Sequence, residues 1–200
     1  MSQLTFSQAC ENNKQAILEV IKPVFIGTCR VLEIGSGTGQ HGEFFASMLP
    51  HLQWQLADRP EYHEGLTLRC QLSGLKNLLA PIALDVDQPF TVDQADHIFS
   101  ANTVHIMGWP QVEKLFAVVQ SVLVPGGYFC LYGPFNYQGE YSSASNASFD
   151  QHLKARDPAS GIRDFEAVNR LAINVGLYLK QDVNMPANNR CLVWQKIAQA

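Results

Sequence analysis

Three glycines at alternate positions follow an apolar run in the first quarter of this 200-residue chain. The run at 31–34 is predicted to be a buried strand, the turn spans residues 35–39, and a helix-like stretch follows it. Glycine tolerates positive φ angles and lets a ligand approach the main chain closely. A strand, a glycine turn and a helix in this order build a nucleotide-sized pocket at the carboxyl edge of an open α/β sheet. The turn therefore predicts both the fold class and the place of a ligand.

The spacing of the glycines discriminates between ligands. Dinucleotide sites use G-x-G-x-x-G, but the last position is Gln40 here, and the turn lacks the Gly-Lys-Ser/Thr ending of a P-loop. Glu33 lies one residue before the end of the strand, where we expect it to face the mouth of the pocket. A carboxylate there repels phosphate and attracts a cationic ligand. S-adenosylmethionine, which carries a sulfonium and an ammonium but no phosphate, suits such a pocket. The structural alternative is a plain α/β turn with a solvated Glu33.

Composition limits the partners. The chain has 14 Lys+Arg against 18 Asp+Glu, a net charge of −4 and no cluster of basic residues, so nucleic acid is not an expected partner. Its five cysteines are scattered and form no C-x-x-C pair, so no metal site is predicted. Scattered cysteines suit reduced thiols, the first residues do not resemble a signal peptide, and no apolar run reaches the roughly 20 residues of a membrane span. We therefore expect a cytoplasmic protein without a membrane partner.

Strands alternate with helices along the chain, which predicts a parallel sheet. Strands are expected at 30–34, 52–57, 79–84, 97–100 and 128–132, and helices at 9–21, 41–48, 62–72, 111–123 and 164–175. The segments 176–183 and 190–197 are expected to form a closing antiparallel pair. Residues 134–161 show no clear period, yet their aromatic residues argue against simple disorder. We interpret residues 1–200 as a single domain with a lid-like insertion at about 134–161.

Polar residues fall at or just beyond three predicted strand ends, where ligand contacts arise in a doubly wound sheet. Asp58 lies 23 residues after Gly35 (58 − 35). This is close to the spacing of about 20 at which an acid holds ribose hydroxyls in dinucleotide sites, so we assign it to the ribose of the cofactor. Asp85 with Val86 is expected at the adenine, and Asn102 at the amino-acid moiety. The alternatives are a helix N-cap for Asp58, a solvated loop acid for Asp85 and a turn role for Asn102.

The segment around the glycine turn resembles motif I of the class I S-adenosylmethionine-dependent methyltransferases. More narrowly, the chain resembles the DUF938 family of methyltransferase-like proteins, the family of methyltransferase-like protein 26. The matching segments are 32–34, 36–41, 83–86, 101–102, 105–106, 132–135, 145–146, 149–150, 156–158, 161–164 and 185–189. The resemblance implies an α/β fold with a three-layer, doubly wound Rossmann-like methyltransferase sheet, mostly parallel with an antiparallel C-terminal strand. It also implies S-adenosylmethionine as the cofactor, with Asn13 or Lys14 on a helix that closes over its methionine end.

These arguments give a set of expected site residues. The expected cofactor ligands are Glu33, Gly35, Ser36, Gly37, Gly39, Asp58, Asp85, Val86, Asn102 and Asn13. His105, after the fourth strand, has the pKa range of a general base, and Tyr132 at the end of the fifth strand is the second catalytic candidate. The expected acceptor-site residues are Trp109, Phe135, Tyr137, Asn146, Arg163 and Asn188. The structural alternatives are a buried histidine, ordinary core packing of the aromatic residues, and pairing of Arg163 with Asp157 or Asp164.

The predicted function is that of an enzyme, a methyltransferase that moves a methyl group from S-adenosylmethionine to a small molecule. Residues 102–105 read Asn-Thr-Val-His rather than the Asn/Asp-Pro-Pro-aromatic tetrapeptide of amino-methylating DNA enzymes, which argues against base methylation. Three alternatives stay open: a cofactor-binding regulatory or partner module without transfer activity, a nicotinamide-dependent oxidoreductase, and protein methylation. Gln40 and the acidic mouth count against the oxidoreductase. The sequence leaves open the acceptor atom and whether the chain forms a homodimer.

Overall fold

The computed structural model describes residues 4–197. The strands are β1 (Cys29–Ile34), β2 (Leu52–Asp58), β3 (Leu78–Ala83), β4 (Ala95–Ala101), β5 (Leu123–Gly133), β6 (Phe135–Asn136), β7 (Arg163–Asp164), β8 (Leu177–Met185) and β9 (Asn189–Lys196). The helices are α1 (Gln8–Ile21), α2 (Gln40–Met48), α3 (His63–Ser73), α4 (Trp109–Val122), α5 (Ala144–Arg156) and α6 (Phe165–Asn174), with 3₁₀ turns at Pro60–Tyr62 and Pro186–Asn188. Within residues 4–197, none of these helices combines the length and apolar character that crossing a membrane requires.

A seven-stranded sheet organises the described residues in the order β3-β2-β1-β4-β5-β9-β8. The first five strands of that order run parallel, whereas β9 pairs antiparallel with both β5 and β8. The chain leaves β1 for β2 and β3 on one side and returns to β4 and β5 on the other, so a topological switch point lies between β1 and β4. This confirms the predicted doubly wound, mostly parallel sheet with an antiparallel C-terminal strand.

Helices cover both faces of the sheet and give it three layers. On one face, α1, α2 and α3 bury an apolar cluster that includes Ile17, Phe45 and Leu66. On the other face, α4 and α6 bury a second cluster that includes Phe116 and Val168. Successive residues of the central strands enter the two clusters alternately, as the two-residue period of a strand requires.

The helix α5 lies inside the segment predicted as an irregular lid. Its buried residues are Asn146, Asp150 and Leu153, so its inner face carries no apolar repeat that a periodicity argument would detect. Ser143 begins the helix as its N-cap, and the Ser143 hydroxyl accepts a hydrogen bond from the Asn146 N–H. The serine N-cap was the sequence signal available for this helix. Its polar inner face gave no periodic pattern from which the helix could be predicted.

Asp150 fastens α5 to the rest of the insertion. Its carboxylate is 1% exposed and accepts hydrogen bonds from the Ile162 N–H at 2.7 Å, the Tyr141 hydroxyl at 2.6 Å and the Lys154 ammonium at 2.6 Å. These contacts hold the pKa of Asp150 below its ordinary value despite the opposing effect of burial. A buried hydrogen-bond network is stabilising only when all its members are paired. The position of α5 therefore depends on the Asp150 carboxylate.

Glu33 lies inside the protein rather than at the pocket mouth, which corrects the sequence-based expectation. Alternation along β1 places it on the same face as Val31, against α1–α3. Glu33 is 2% exposed, and its Oε2 accepts a hydrogen bond from Trp54 Nε1 at 2.7 Å. Burial raises the pKa of Glu33 to about 8, although the bond from Trp54 opposes the rise.

Replacing Asp150 tests the anchoring of α5. Asp150→Ala leaves the buried Ile162 N–H unpaired, so the free energy of unfolding should fall by about 1–3 kcal/mol. Amide hydrogen exchange should accelerate across residues 144–164. The matched control is Asp93→Ala, because Asp93 is exposed and pairs with Arg30, a surface contact worth less than about 1 kcal/mol. Equal losses in urea denaturation of the two variants would contradict the anchoring role.

The buried carboxyl of Glu33 should make stability depend on pH. In the unfolded chain this group ionises near 4.5, whereas in the fold it stays protonated up to about 8. The fold therefore loses stability as the pH rises from 4.5 to 8, because only the unfolded chain ionises freely. Glu33→Gln keeps an acceptor for Trp54 and removes this loss, so it should be about 2–4 kcal/mol more stable than the unaltered protein at pH 8.

The advantage of Glu33→Gln should shrink toward pH 5, where both states hold the proton more fully. Urea denaturation at the two pH values measures the difference. Glu19→Gln, a change on the exposed surface of α1, is the matched control and should show no such trend. A Glu33→Gln variant whose advantage is the same at pH 5 and pH 8 would disprove the assignment.

Candidate active site

A cavity of about 460 Å³ opens at the switch point of the sheet. It is lined by the start of α1 and by the residues that follow β1, β2, β3 and β4. The lining residues that matter for a ligand are Ser7, Cys10, Gly35, Ser36, Gly37, Asp58, Asp85, Val86, Asn102 and His105. The structure therefore brings together seven of the ten expected cofactor residues, from segments far apart in sequence, and the catalytic candidate His105.

The turn after β1 presents main chain rather than side chains to the cavity. Gly35, Gly37 and Gly39 have φ values of 75°, 55° and 72°. A Cβ at Gly35 would collide with the methyl group of Thr103. Gly39 does not line the cavity and instead begins α2, where a Cβ would lie 2.9 Å from Leu66. Gly35 thus makes room for Thr103 and Gly39 for α3, whereas a Cβ at Gly37 would project into open space.

A hydroxyl pair joins the ends of β1 and β4 beneath this turn. Ser100 Oγ donates a hydrogen bond to the Ile34 carbonyl at 2.8 Å and lies 2.7 Å from Thr103 Oγ1. Both hydroxyl-bearing residues are buried. The loop after β4 is therefore fixed relative to the glycine turn, and the two sides of the cavity keep a constant separation.

Asp58 ends β2 with its carboxylate against the glycine turn. Oδ2 accepts a hydrogen bond from the Gly37 N–H at 2.6 Å, and Oδ1 accepts one from the Arg59 N–H at 2.8 Å. Burial raises the pKa of Asp58, and these two backbone bonds oppose the rise. Each oxygen of a carboxylate has a further lone pair, so Asp58 can still accept two hydroxyl protons from a ligand in the cavity.

Asp85 and Val86 line the cavity from the segment after β3. Oδ1 of Asp85 accepts a hydrogen bond from the Asp87 N–H at 2.9 Å, which sets the orientation of the carboxylate. Val86 is half-buried and packs against the α4–α6 side of the core. The pair therefore offers a hydrogen-bond acceptor next to an apolar surface, which suits an aromatic ring with an amino group.

Asn102 lies at the border of this cavity and a second one. Its φ is 59°, a left-handed conformation that asparagine tolerates better than most residues. Its N–H donates to the Tyr132 carbonyl at 2.9 Å, while its side-chain amide has no protein partner among residues 4–197. The amide is thus available to a ligand.

His105 lines the first cavity and is 4% exposed. Its ring meets Phe149 edge-on at 5.4 Å, and its Nδ1 is buried without a hydrogen-bond partner among the described residues. Burial, with Arg163 nearby, lowers the pKa of His105 to about 4. The imidazole is therefore neutral at pH 7 and is a weak base.

The residues before α1 are tied over the glycine turn by polar side chains. Gln40 accepts a hydrogen bond from the Ser7 N–H at 2.5 Å and donates one to the Ser7 carbonyl at 3.3 Å. Arg69 donates to the Thr5 carbonyl at 2.8 Å and also to the Thr38 carbonyl. The residue that distinguishes this turn from a dinucleotide fingerprint therefore holds one wall of the cavity.

A second cavity of about 380 Å³ adjoins the first. The two share Ala9, Asn102 and Phe149. The second cavity is also lined by the end of β5, by α5 and by the β8–β9 connection, and among its residues are Asn13, Tyr132, Pro134, Asn146 and Asn189. Asn13 therefore lies at the second cavity rather than among the residues of the first.

Three polar side chains link the two cavities. His41, which lines the first cavity, has its Nε2 2.6 Å from Asn13 Oδ1. Asn13 in turn lies close enough to the hydroxyl of Tyr132 to lower its pKa, and Tyr132 lines the second cavity. Burial raises the pKa of Tyr132 to about 12 and lowers the pKa of His41 to about 4. Both side chains are therefore neutral near pH 7.

The aromatic residues expected at the acceptor site lie elsewhere. Phe135 is fully buried in the α4–α6 core, and Trp109 donates a hydrogen bond from Nε1 to Glu113 on its own helix. Tyr137 stacks on Phe165 at 5.2 Å and donates its hydroxyl to Asp182. None of the three lines either cavity, so the core-packing interpretation describes them better.

Arg163 and Asn188 also lie outside the two cavities. Arg163 donates to three backbone carbonyls, those of Val104, Met107 and Ala159, and so holds the loop after β4. Its Nε and Nη2 groups are therefore not available for a bidentate hydrogen bond to a substrate carboxylate. The Asn188 carbonyl accepts a hydrogen bond from Asn146 Nδ2 at 3.0 Å, so Asn188 supports Asn146 from the β8–β9 connection.

Sequence reasoning missed several lining residues. Arg59 and Tyr62, directly after β2, line the first cavity, with the guanidinium 5.6 Å from the tyrosine ring. Their position after a strand end was the available signal. Ser7 and Cys10 approach from outside the sheet, and Phe149 belongs to the overlooked helix α5, so no strand-end rule identifies them.

The comparisons with known proteins agree with this geometry. The sequence profile of the family described as "Protein of unknown function (DUF938)" matches residues 4–196. A relative described as sterol methyltransferase-like 1, from Botryococcus braunii, is 26% identical over 151 residues, which are 74% of this chain and 33% of the relative.

Solved structures share the fold at low sequence identity. An O-methyltransferase family 2 protein from Planctomyces limnophilus, in complex with apigenin, has a TM-score of 0.82 at 19% identity, over 94% of this chain and 58% of that one. An O-methyltransferase from neocarzinostatin biosynthesis, in complex with S-adenosyl-L-homocysteine and 1,4-dihydroxy-2-naphthoic acid, has a TM-score of 0.77 at 14% identity, over 94% and 55%.

The chain thus spans about a third of that curated relative and less than three-fifths of those structures. The family profile covers nearly the whole chain. The chain therefore belongs to the DUF938 family, and its fold is that of the O-methyltransferases among these structures.

Proposed function

We propose that this protein is an S-adenosylmethionine-dependent methyltransferase that acts on a small molecule. The observation that carries the proposal is the pair of adjoining cavities, which share Asn102 at the carboxyl edge of the sheet. One cavity suits a nucleoside and the other is large enough for a small acceptor, since small-molecule sites measure roughly 300–1,000 Å³. In this proposal residues 1–200 form one domain, and the segment at about 134–161 closes over the acceptor.

The residues present fit the cofactor. Gly37 exposes main chain at a point where no protein atom would meet a Cβ, and Asp58 retains acceptors for both ribose hydroxyls. Among the described residues that line the first cavity, only Arg59 carries a full positive charge, and it pairs with Glu61 at 2.9 Å. The cavity therefore offers no strong site for a phosphate and suits a cationic nucleoside.

The assignment of each ligand group follows from position. Asp58 would hold the ribose, Asp85 and Val86 the adenine, and Asn102 the amino-acid moiety. The protein main chain at Ser36 would lie against the cofactor. Glu33 and Gly39 act indirectly, because neither reaches the cavity wall. Asn13 acts from the second cavity.

When bound, the cofactor supplies an already activated methyl group. The protein then has mainly to align the acceptor atom, and alignment alone is a large source of rate enhancement. Tyr132 keeps its proton near neutral pH, so it would act as a hydrogen-bond donor rather than as a base. His105 is neutral and would accept a proton only from an acceptor that releases it readily.

The weak basicity of His105 also favours a second candidate function. Because no strong base among the described residues lines either cavity, a cofactor-binding module without transfer activity would have the same site. Turnover distinguishes the two functions, since a binding module leaves the methyl group on its ligand.

Asp58→Ala tests the cofactor assignment. It removes both ribose acceptors, so the affinity for S-adenosylhomocysteine measured by calorimetry should fall by a factor of roughly 30 or more, as expected for two charge-assisted hydrogen bonds. Asp93→Ala is the matched control and should bind as the unaltered protein does. Absence of binding by the unaltered protein at millimolar ligand would disprove the proposed function.

A metabolite screen tests transfer. The protein is incubated with S-adenosylmethionine and a cell extract depleted of macromolecules. Mass spectrometry then measures S-adenosylhomocysteine and new products that are about 14 mass units heavier than their precursors, the mass of one CH2 group. We expect product formation that Asp58→Ala abolishes. Tight cofactor binding without any product across extracts would favour the binding module instead.

A further inference from the structure

The second cavity has an uncharged lining. Among its residues that the structure describes, the polar ones are asparagines, a serine and Tyr132, and the others are alanine, proline and phenylalanine. Arg163, which the sequence suggested as a partner for a substrate carboxylate, lies outside this cavity and is occupied by backbone carbonyls. A charged molecule entering this cavity would lose its hydration without gaining a counter-charge, which is costly.

The polar link between the cavities determines what Tyr132 can do. The Asn13 amide oxygen can only accept, so the close contact with His41 Nε2 makes that nitrogen the donor. The Asn13 amide nitrogen is then the group that can donate toward the neighbouring Tyr132 oxygen. No acceptor among the residues that the structure describes takes the Tyr132 hydroxyl proton, so this proton can be donated into the second cavity, which Tyr132 lines.

Asn102 adds a second polar contact at the shared border of the cavities. Its side-chain amide has no protein partner within residues 4–197 and offers both a donor and an acceptor. Phe149 contributes an aromatic surface next to it and is 40% exposed despite its size. Tyr132, Asn102 and Phe149 thus describe a small apolar site with fixed neutral hydrogen-bonding groups.

We propose, on the basis of the methyl transfer proposed above, that the second cavity takes an uncharged acceptor that receives a hydrogen bond from the Tyr132 hydroxyl. Asn13, held by His41, is the positioning residue for that hydroxyl. The acceptor class is a neutral molecule with a carbonyl, amide or hydroxyl oxygen beside an apolar body. Carboxylates and ammonium compounds are rejected.

The test uses three probes of nearly equal size and different charge: benzamide, benzoate and benzylammonium. Ligand-observed NMR measures their binding to the full chain saturated with S-adenosylhomocysteine. We expect benzamide to bind and the two charged probes to bind at least about 10-fold more weakly, as expected for burial of an unpaired charge. Tyr132→Phe should weaken benzamide about 3–10-fold, the loss of one neutral hydrogen bond. Its matched control, Tyr178→Phe, changes an exposed tyrosine of β8 and should have no effect.

A double-mutant comparison tests Asn13. Asn13→Ala should weaken benzamide in the unaltered protein but cause no further loss in the Tyr132→Phe background, because Asn13 acts through the hydroxyl. A purely structural role would cause the same loss in both backgrounds. Calorimetry of S-adenosylhomocysteine accompanies each variant, and its affinity should change less than about twofold for Tyr132→Phe, which leaves the first cavity intact.

The outcomes separate this inference from the proposed function. Equal binding of a charged probe, undetectable benzamide binding with the cofactor product bound, or unchanged benzamide affinity in Tyr132→Phe would each overturn the inference while leaving the proposed function standing. Failure of the unaltered protein to bind S-adenosylhomocysteine would overturn both.

Discussion

The contact between the glycine turn after β1 and the loop after β4 is the constraint on which the site depends. The methyl group of Thr103 occupies the space that a side chain at residue 35 would need, and Ser100 ties the end of β1 to the same loop. Because the strand order reverses between β1 and β4, a crevice opens at the carboxyl ends of these two strands. One glycine and two hydroxyl groups fix the contact at its base, and Asp58 and Asn102 both line it.

The placement of the expected ligands was predictable where topology determines it. Asp58, Asp85 and Asn102 each lie at or beyond the end of a parallel strand, and such ends meet at one edge whatever the details of packing. The orientation of Glu33 was not predicted, although the two-residue period of β1 already places it on the same face as Val31. Position along a strand decides the edge that a residue reaches, and its parity decides the face, so both are needed to locate a side chain.

The rest of the site could not be predicted because it depends on contacts between distant segments. Asn13 and Asn146 meet the second cavity from helices outside the sheet, and α5 hides its inner face behind polar residues such as Asp150. The aromatic side chains of the insertion and α4 were the most misleading signal: Phe135 and Tyr137 serve packing, whereas Phe149, on the overlooked helix, reaches both cavities. Composition alone does not distinguish an aromatic residue that covers a ligand from one that fills the core.

The hydrogen bonds that hold Thr5 and Ser7 over the glycine turn have a kinetic consequence. Ser7 and Thr5 are held by the side chains of Gln40 and Arg69, through a few hydrogen bonds that can break without disturbing the strands below. Exchange of whatever occupies the larger crevice can then proceed by a local opening, which is far faster than global unfolding. The residence time of the nucleoside would thus be governed by two buried side chains, Gln40 at the start of α2 and Arg69 of α3, independently of the groups that recognise it.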